Sequence, residues 1–184
     1  CALAGLALAG CVEPPIELLP GLKTFEGARI IDGSGNTIEN GVLVVRDGRV
    51  EAIGTSDSVS VPAGAEQFDL TGRTIIPGFI NTHGHVGATR GLESDPELYT
   101  RSNLLHQLGL YARYGVTTVF SLGGDDQAGF TLRDEQNLSL DRARLFVAGP
   151  VVNGATAEDV EPLVDEIAGM GADIIKIRVD NNLG

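Results

Sequence analysis

The dipeptide Asp47-Gly48 lies between two apolar runs, Gly41-Val42-Leu43-Val44-Val45 and Arg49-Val50-Glu51-Ala52-Ile53. An Asp-Gly turn needs positive φ, and between two apolar strands it is the strongest short-range signal for a hairpin. A strand over 25–31 precedes it and runs into the turn-rich Asp32-Gly33-Ser34-Gly35-Asn36. A further strand pair, 66–70 with 73–76, is expected around Thr71-Gly72. Residues 21–76 therefore read as the portion of a small β-sandwich, with no polar constellation of their own. The glycines of 33–41 lack the strand–GxGxxG–helix setting of a nucleotide fingerprint and read as turns.

After Pro77-Gly78 the pattern changes. A short apolar strand is followed by a helix over 103–114, with Leu104, Leu108 and Tyr111 on one face and Gly115 at its end. Strands follow at 116–121 and 144–148, the latter leading into Gly149-Pro150. Val160, Leu163, Val164 and Ile167 then mark a helix running to about Met170. Its start is expected near Asp159, because Pro162 belongs in a first turn rather than a helix interior. A strand over 173–179 closes the described pattern. Strand and helix alternate, so the fold class is α/β, and the 25 glycines and 8 prolines suit it.

The net charge is −12. Phosphate neutralisation needs clustered Lys and Arg, which this chain lacks, so no nucleic-acid partner is expected. Solubility is the simpler reading of the charge.

Residues 1–10, CALAGLALAG, are small, apolar and too short to span a bilayer as a helix. They read as the apolar region of a secretory signal. Leu8-Ala9-Gly10-Cys11 resembles a bacterial lipobox, which implies cleavage before Cys11, its acylation, and anchoring to the envelope on the periplasmic side. Val12-Glu13-Pro14-Pro15 would serve as a tether, making 1–20 a signal remnant and linker. A buried apolar element with Cys11 as a small core residue is the competing reading. Both cysteines lie in this stretch, so lipidation of Cys11 leaves no disulfide pair. The chain does not begin with Met and stops at Gly184 after a strand-like run, and truncation at both ends is expected.

The chemistry is concentrated in Phe79-Ile80-Asn81-Thr82-His83-Gly84-His85. Residues i and i+2 of a strand project on one face, so both imidazoles can reach one ion. Neutral imidazole suits zinc and similar divalent metals. Gly84 is expected to let the backbone pass close to that site. An HxH pair alone is also compatible with two ordinary loop histidines.

Leu70-Thr71-Gly72-Arg73 and Ile76-Pro77-Gly78-Phe79-Ile80-Asn81-Thr82-His83-Gly84-His85 together resemble the entry into the barrel of the amidohydrolase superfamily. The imidazolonepropionase-related and Xaa-Pro dipeptidase-like branch is the nearest. Asn81 stands where that pattern has Asp or Asn. The resemblance implies an incomplete (β/α)8 TIM barrel over 77–184, about its first four strands, preceded by the small β-sandwich. It also implies that His83 and His85 are metal ligands. Lys176, within Gly171-Ala172-Asp173-Ile174-Ile175-Lys176-Ile177, matches the lysine that members with a GADxIKI motif carboxylate with CO₂ to hold two divalent ions, zinc for preference; imidazolonepropionase itself lacks this lysine, so Lys176 argues against that activity.

In a strand, Ile174, Lys176 and Arg178 would face the interior, where an unmodified ammonium is costly unless paired. A salt bridge to an interior carboxylate is the alternative to the carbamate. Arg178 is a candidate for a substrate carboxylate or a structural ion pair, and Ser121 and Asn153, following strands, are candidate substrate contacts. His106 reads as an ordinary helix-surface histidine. Asp125-Asp126 and 93–97 read as solvated loops.

The resemblance implies hydrolysis of an amide in a small molecule, such as a dipeptide or N-acyl amino acid, by a metal-bridging hydroxide. Its later histidines and its general acid/base Asp would lie past residue 184, so 1–184 alone is expected to be inactive and to aggregate. Ile177-Arg178-Val179-Asp180-Asn181-Asn182 departs from the KIMATGG pattern of the dipeptidases and weakens that substrate. The alternatives are a mononuclear deaminase or cyclic amidase, and a non-catalytic envelope lipoprotein using the barrel as a binding scaffold. A homo-oligomer is left open.

Overall fold

The computed structural model describes residues 20–135 and 141–178. Cys11 and the lipobox lie outside them, as does the end of the expected 173–179 strand. The chain divides between Pro77 and Gly78 into two compact units.

The first unit is built on β1 (Leu22–Ile31), β2 (Thr37–Arg46), β3 (Arg49–Thr55), β4 (Glu66–Asp69) and β5 (Thr74–Ile75). The order is β3-β2-β1-β4, with β5 also on β1. Asp47 and Gly48 both take positive φ, 49° and 75°, and close the β2–β3 hairpin as their sequence requires. Leu22, Val42, Val44 and Ala65 form its buried cluster. The described residues of this unit form one sheet, and they do not supply the second layer of a sandwich.

The expected pairing of 66–70 with 73–76 does not form. Both segments instead run parallel to β1, β4 along Lys23–Glu26 and β5 along Arg29–Ile30. Gly27, at φ 77°, breaks the register of β1 between these two stretches. A Cβ at Gly27 would sit 2.5 Å from the Thr71 hydroxyl, so the glycine lets the 70–73 turn cross the bulge. Leu70 N donates to Glu26 O at 2.7 Å and Arg29 N to Arg73 O at 2.9 Å on either side of it. Thr71-Gly72 is a step along β1 rather than a hairpin turn.

The second unit begins with β6 (Phe79–Gly84). A small hairpin, β7 (Thr89–Arg90) with β8 (Glu93–Ser94), and a 3₁₀ turn (Pro96–Leu98) lead to α1 (Arg101–Arg113). Then come β9 (Val116–Ser121), α2 (Gln127–Asp134), β10 (Arg144–Val147) and α3 (Ala157–Gly169). The three longer strands form a parallel sheet ordered β10-β9-β6. Helices connect successive strands, as parallel pairing demands. Leu104 and Leu108 of α1, Val119 of β9, Leu132 of α2, and Leu145 and Val147 of β10 form the core.

Thr100 caps α1, accepting from Asn103 N, and Gly115 leaves it at φ 80°. Helix α2 was not legible in the pattern, because Gly129 and Thr131 weaken the helical signal of a short segment. Asp126 caps it, its carboxylate accepting from Ala128 N at 2.8 Å. Helix α3 starts at Ala157, two residues before the expected Asp159, so Pro162 is inside it. A reciprocal capping box of Thr156 and Asp159 fixes that start, and the proline forfeits a single backbone bond.

The expected strand over 173–179 is reduced, among the described residues, to one parallel bridge between Val152 and Ile177. Asp173 N already donates to Val147 O at 2.9 Å. Between these two contacts the partner chain makes one residue more, at the Gly149-Pro150 turn, where Pro150 has no N–H to give. The ladder therefore cannot run on.

Candidate metal centre

His83 lies at the end of β6 and His85 just beyond it. The Asn81 side-chain carbonyl accepts from His83 N at 3.0 Å, and the β6–β9 register slips between Asn81 and Gly84. Both imidazoles are exposed, while Gly84 and Val86 between and after them are buried. A Cβ at Gly84 would come within 2.9 Å of the Val119 side chain. The glycine thus serves packing against β9 on the buried face, not the clearance beside the histidines that was expected of it.

The two rings stand 5.7 Å apart between centroids, tilted by 57°. His85 Nδ1 is 3.4 Å from the carbonyl oxygen of Gly123. A carbonyl only accepts, so this contact puts the proton on Nδ1 and leaves the Nε2 lone pair open to a metal. Gly123 turns sharply at φ 99°, and a Cβ there would collide with Val151 at 2.4 Å. His83 presents Nε2 to Lys176 Nζ at 3.5 Å. Lys176 is half-buried, and its backbone carbonyl accepts from Val152 N at 2.8 Å beside the Val152–Ile177 bridge.

These side chains therefore gather at the C-terminal ends of the parallel strands, where α/β proteins place their ligands. Two imidazoles at one strand end, with Nε2 of His85 open and Nε2 of His83 facing Lys176, fit a divalent cation. Among the described residues no group of three or more His, Cys, Asp or Glu is placed to hold one. Lys176 is then the third protein group at hand. A protonated ammonium cannot ligate, whereas the neutral amine or its carboxylated form can.

The other candidates are placed differently. Ser121 is fully buried, and its Oγ accepts from Val86 N at 3.2 Å. Asn153 is exposed, its amide donating to Val151 O at 3.3 Å. Arg178 is exposed, and its backbone N donates to Val152 O at 3.2 Å. His106 lies on the exposed face of α1.

Asp125 overturns the reading of 125–126 as a solvated loop. It is 2% exposed. Its carboxylate accepts from Tyr99 OH at 3.0 Å, Ala148 N at 3.0 Å and Gly149 N at 3.2 Å. Burial raises its pKa above the ordinary carboxylate value, although each hydrogen bond pulls the other way. The Tyr99 phenol is pushed up by burial and by the Asp125 charge. Asn103 is a second group the sequence did not mark. Its amide donates to Gly87 O, Thr89 O and Leu98 O at 2.7, 2.9 and 3.2 Å, pinning the loop that follows the histidines. A capping Asp126 is readable from its place before a helix. The burial of Asp125 is not, because it depends on strands distant in sequence.

No family-level sequence profile matches the chain. It is 38% identical over 78 residues to 5-methylthioadenosine/S-adenosylhomocysteine deaminase of Symbiobacterium thermophilum, covering 40% of this chain and 18% of that protein. It is 32% identical over 101 residues to dihydroorotase of Listeria monocytogenes, covering 55% and 21%. The chain thus spans about a fifth of the curated relatives it matches. In structure it is similar to a Bifidobacterium longum protein assigned as a prolidase, with a TM-score of 0.72 and 27% identity over 91% of this chain and 42% of that one. A Xaa-Pro dipeptidase with bound methionine in its active site shares the fold at a TM-score of 0.66, with 21% identity over 85% of this chain and 46% of that one. The structural neighbours are amidohydrolases.

Proposed function

We propose that the protein carrying this chain is a metal-dependent hydrolase of amide bonds in a small molecule. The observation that carries this reading is the convergence of His83, His85 and Lys176 at one end of a parallel sheet. Divalent ions held there would lower the pKa of water and polarise a carbonyl. His85, its Nδ1 proton engaged by Gly123 O, offers Nε2 to one ion, and His83 offers Nε2 beside Lys176. Lys176 joins this set once its neutral amine adds to CO₂, forming an N–C bond and releasing a proton. The carbamate replaces a cation with an anionic oxygen donor and so removes the charge that would oppose metal binding. Two ions, zinc for preference, are the proposed complement. Asn153 and Arg178 are proposed substrate contacts, Arg178 for a carboxylate.

A deaminase with one ion is the second reading, favoured by the identity with the Symbiobacterium enzyme. Lys176 weighs against it, since one ion does not need a bridging carbamate. The prolidase and dipeptidase neighbours support an N-acyl amino acid or dipeptide as substrate class. The Cys11 motif supports anchoring in a bacterial envelope, and palmitate labelling lost in Cys11→Ala would bear on it.

Turnover of a panel of dipeptides, N-acyl amino acids and adenosine derivatives tests the assignment. The full-length protein should cleave an amide, lose activity to a chelator and regain it with zinc and bicarbonate. Residues 1–184 alone should be inactive. Chelator-insensitive turnover, ammonia release from adenosine derivatives only, or activity in 1–184 would each count against the proposal.

A further inference from the structure

Two paths lead to His85 from the 121–125 turn that the buried Asp125 carboxylate anchors. On the first, Ser121 Oγ accepts from Val86 N at 3.2 Å. That N–H belongs to the peptide bond that His85 itself enters. On the second, the 121–125 turn is tied at both ends. Leu122 N donates to Gly84 O at 2.8 Å, and Asp125 Oδ2 accepts from Ala148 N and Gly149 N. Between the ties stands Gly123, whose carbonyl meets His85 Nδ1. One path holds the backbone of His85 and the other its ring.

We propose that Asp125 is a positioning residue for His85, setting its tautomer and ring direction through Ser121 and the Gly123 carbonyl. The inference rests on the reading of His85 as a metal ligand. Its basis is economy of burial. A carboxylate is costly to desolvate and is kept only where donors converge on it. Here two backbone N–H groups of β10's exit and the Tyr99 hydroxyl do so, while Ser121, on the same turn, reaches β6's exit. The turn that the carboxylate holds therefore joins the exits of β6, β9 and β10, and the site lies on those exits. Groups that orient a metal-binding histidine through its other nitrogen typically govern metal affinity by about 10–100-fold. Ser121, buried and engaged by Val86 N, acts in this relay instead of touching substrate.

The test uses the full-length protein in three variants. Asp125→Asn keeps the shape but turns an NH₂ group or a poorer acceptor toward the Ala148 and Gly149 N–H groups. Ser121→Ala removes the turn's hold on Val86 N while leaving Asp125 its three donors, and so serves if Asp125→Asn does not fold. Tyr99→Phe also takes one bond from Asp125 but lies off both paths. Cobalt(II) titration followed by visible absorption gives the affinity. Two-bond ¹H–¹⁵N spectra of histidine-labelled, metal-free protein give the His85 tautomer. Wild type should carry the proton on Nδ1. Ser121→Ala should bind cobalt about tenfold more weakly, with mixed tautomers, and Tyr99→Phe should match wild type in both. Unchanged affinity and tautomer in Ser121→Ala, or an equal loss in Tyr99→Phe, would overturn the proposal. A wild type that binds no cobalt removes the metal reading, and the tautomer comparison still decides whether Asp125 positions His85.

Discussion

Two aspartates show how local and distant partners act on one kind of group. Asp32 is exposed, and its carboxylate accepts from Ser34 N and Oγ and from Asn36 N and Nδ2 within a single turn. Those bonds favour the ionised form and hold its pKa at about 2. The turn's contribution to the fold is then complete above the ordinary value of 3.8 and is lost as pH falls through about 2. Carboxyl chemical shifts should report a midpoint near 2 for Asp32, rising toward 3.8 in Asn36→Ala. An ordinary midpoint in the parent would contradict that account. Asp125 is raised instead, so its ionisation costs stability as pH climbs from the ordinary value through the elevated one. The Asp32 turn was legible because all its partners lie within four residues. The His83–His85 pair was legible from residue type at the end of an apolar strand, and Lys176 from the resemblance carried by 171–177. Asp125 and Ser121 were not, since their partners come from strands apart in the sequence.

At the scale of elements, the β2–β3 hairpin, α1, β9 and β10 follow from turn chemistry and periodicity close to their observed bounds. Two expectations fail, for opposite reasons. Strands β4 and β5 adjoin in sequence with a turn-like Thr71-Gly72 between them, yet a bulge at Gly27 lets both pair with β1. Whether adjacent strands pair with each other or with a third is a tertiary matter that no local pattern contains. The start of α3 is the opposite case, because its box was written in Thr156-Ala157-Glu158-Asp159 and Pro162 drew the reading past it. Thr156 Oγ1 accepts from Asp159 N at 3.3 Å, and Asp159 Oδ2 accepts from Thr156 N at 3.1 Å. Thr156→Ala should therefore cost about 1 kcal/mol in denaturant unfolding. Thr156→Ser should restore most of it, and equal stability of Ala and Thr at 156 would show that the cap does not set this helix.

For the molecule as a whole, the parallel sheet and its helices set three candidate ligands at one edge, and the rest of the shell is not among the described residues. Strand β6 ends the sheet order, and Ile174 and Ile177 remain 44% and 58% exposed. Apolar surface of this kind, beside a strand edge left unpaired among the described residues, favours association. The His83–His85 pair and Lys176 were readable as a candidate site, and the structure brings them together. The substrate was not readable, because substrate contacts are made by loops whose positions only the assembled protein defines. The account stands on Lys176 being a metal-bridging group, and the metal content of the full-length protein, grown with zinc and bicarbonate and read by elemental mass spectrometry, tests this most directly. About two ions per chain, falling sharply in Lys176→Ala, is the result expected of a bridged pair. About one ion, unaffected by Lys176→Ala, would contradict it.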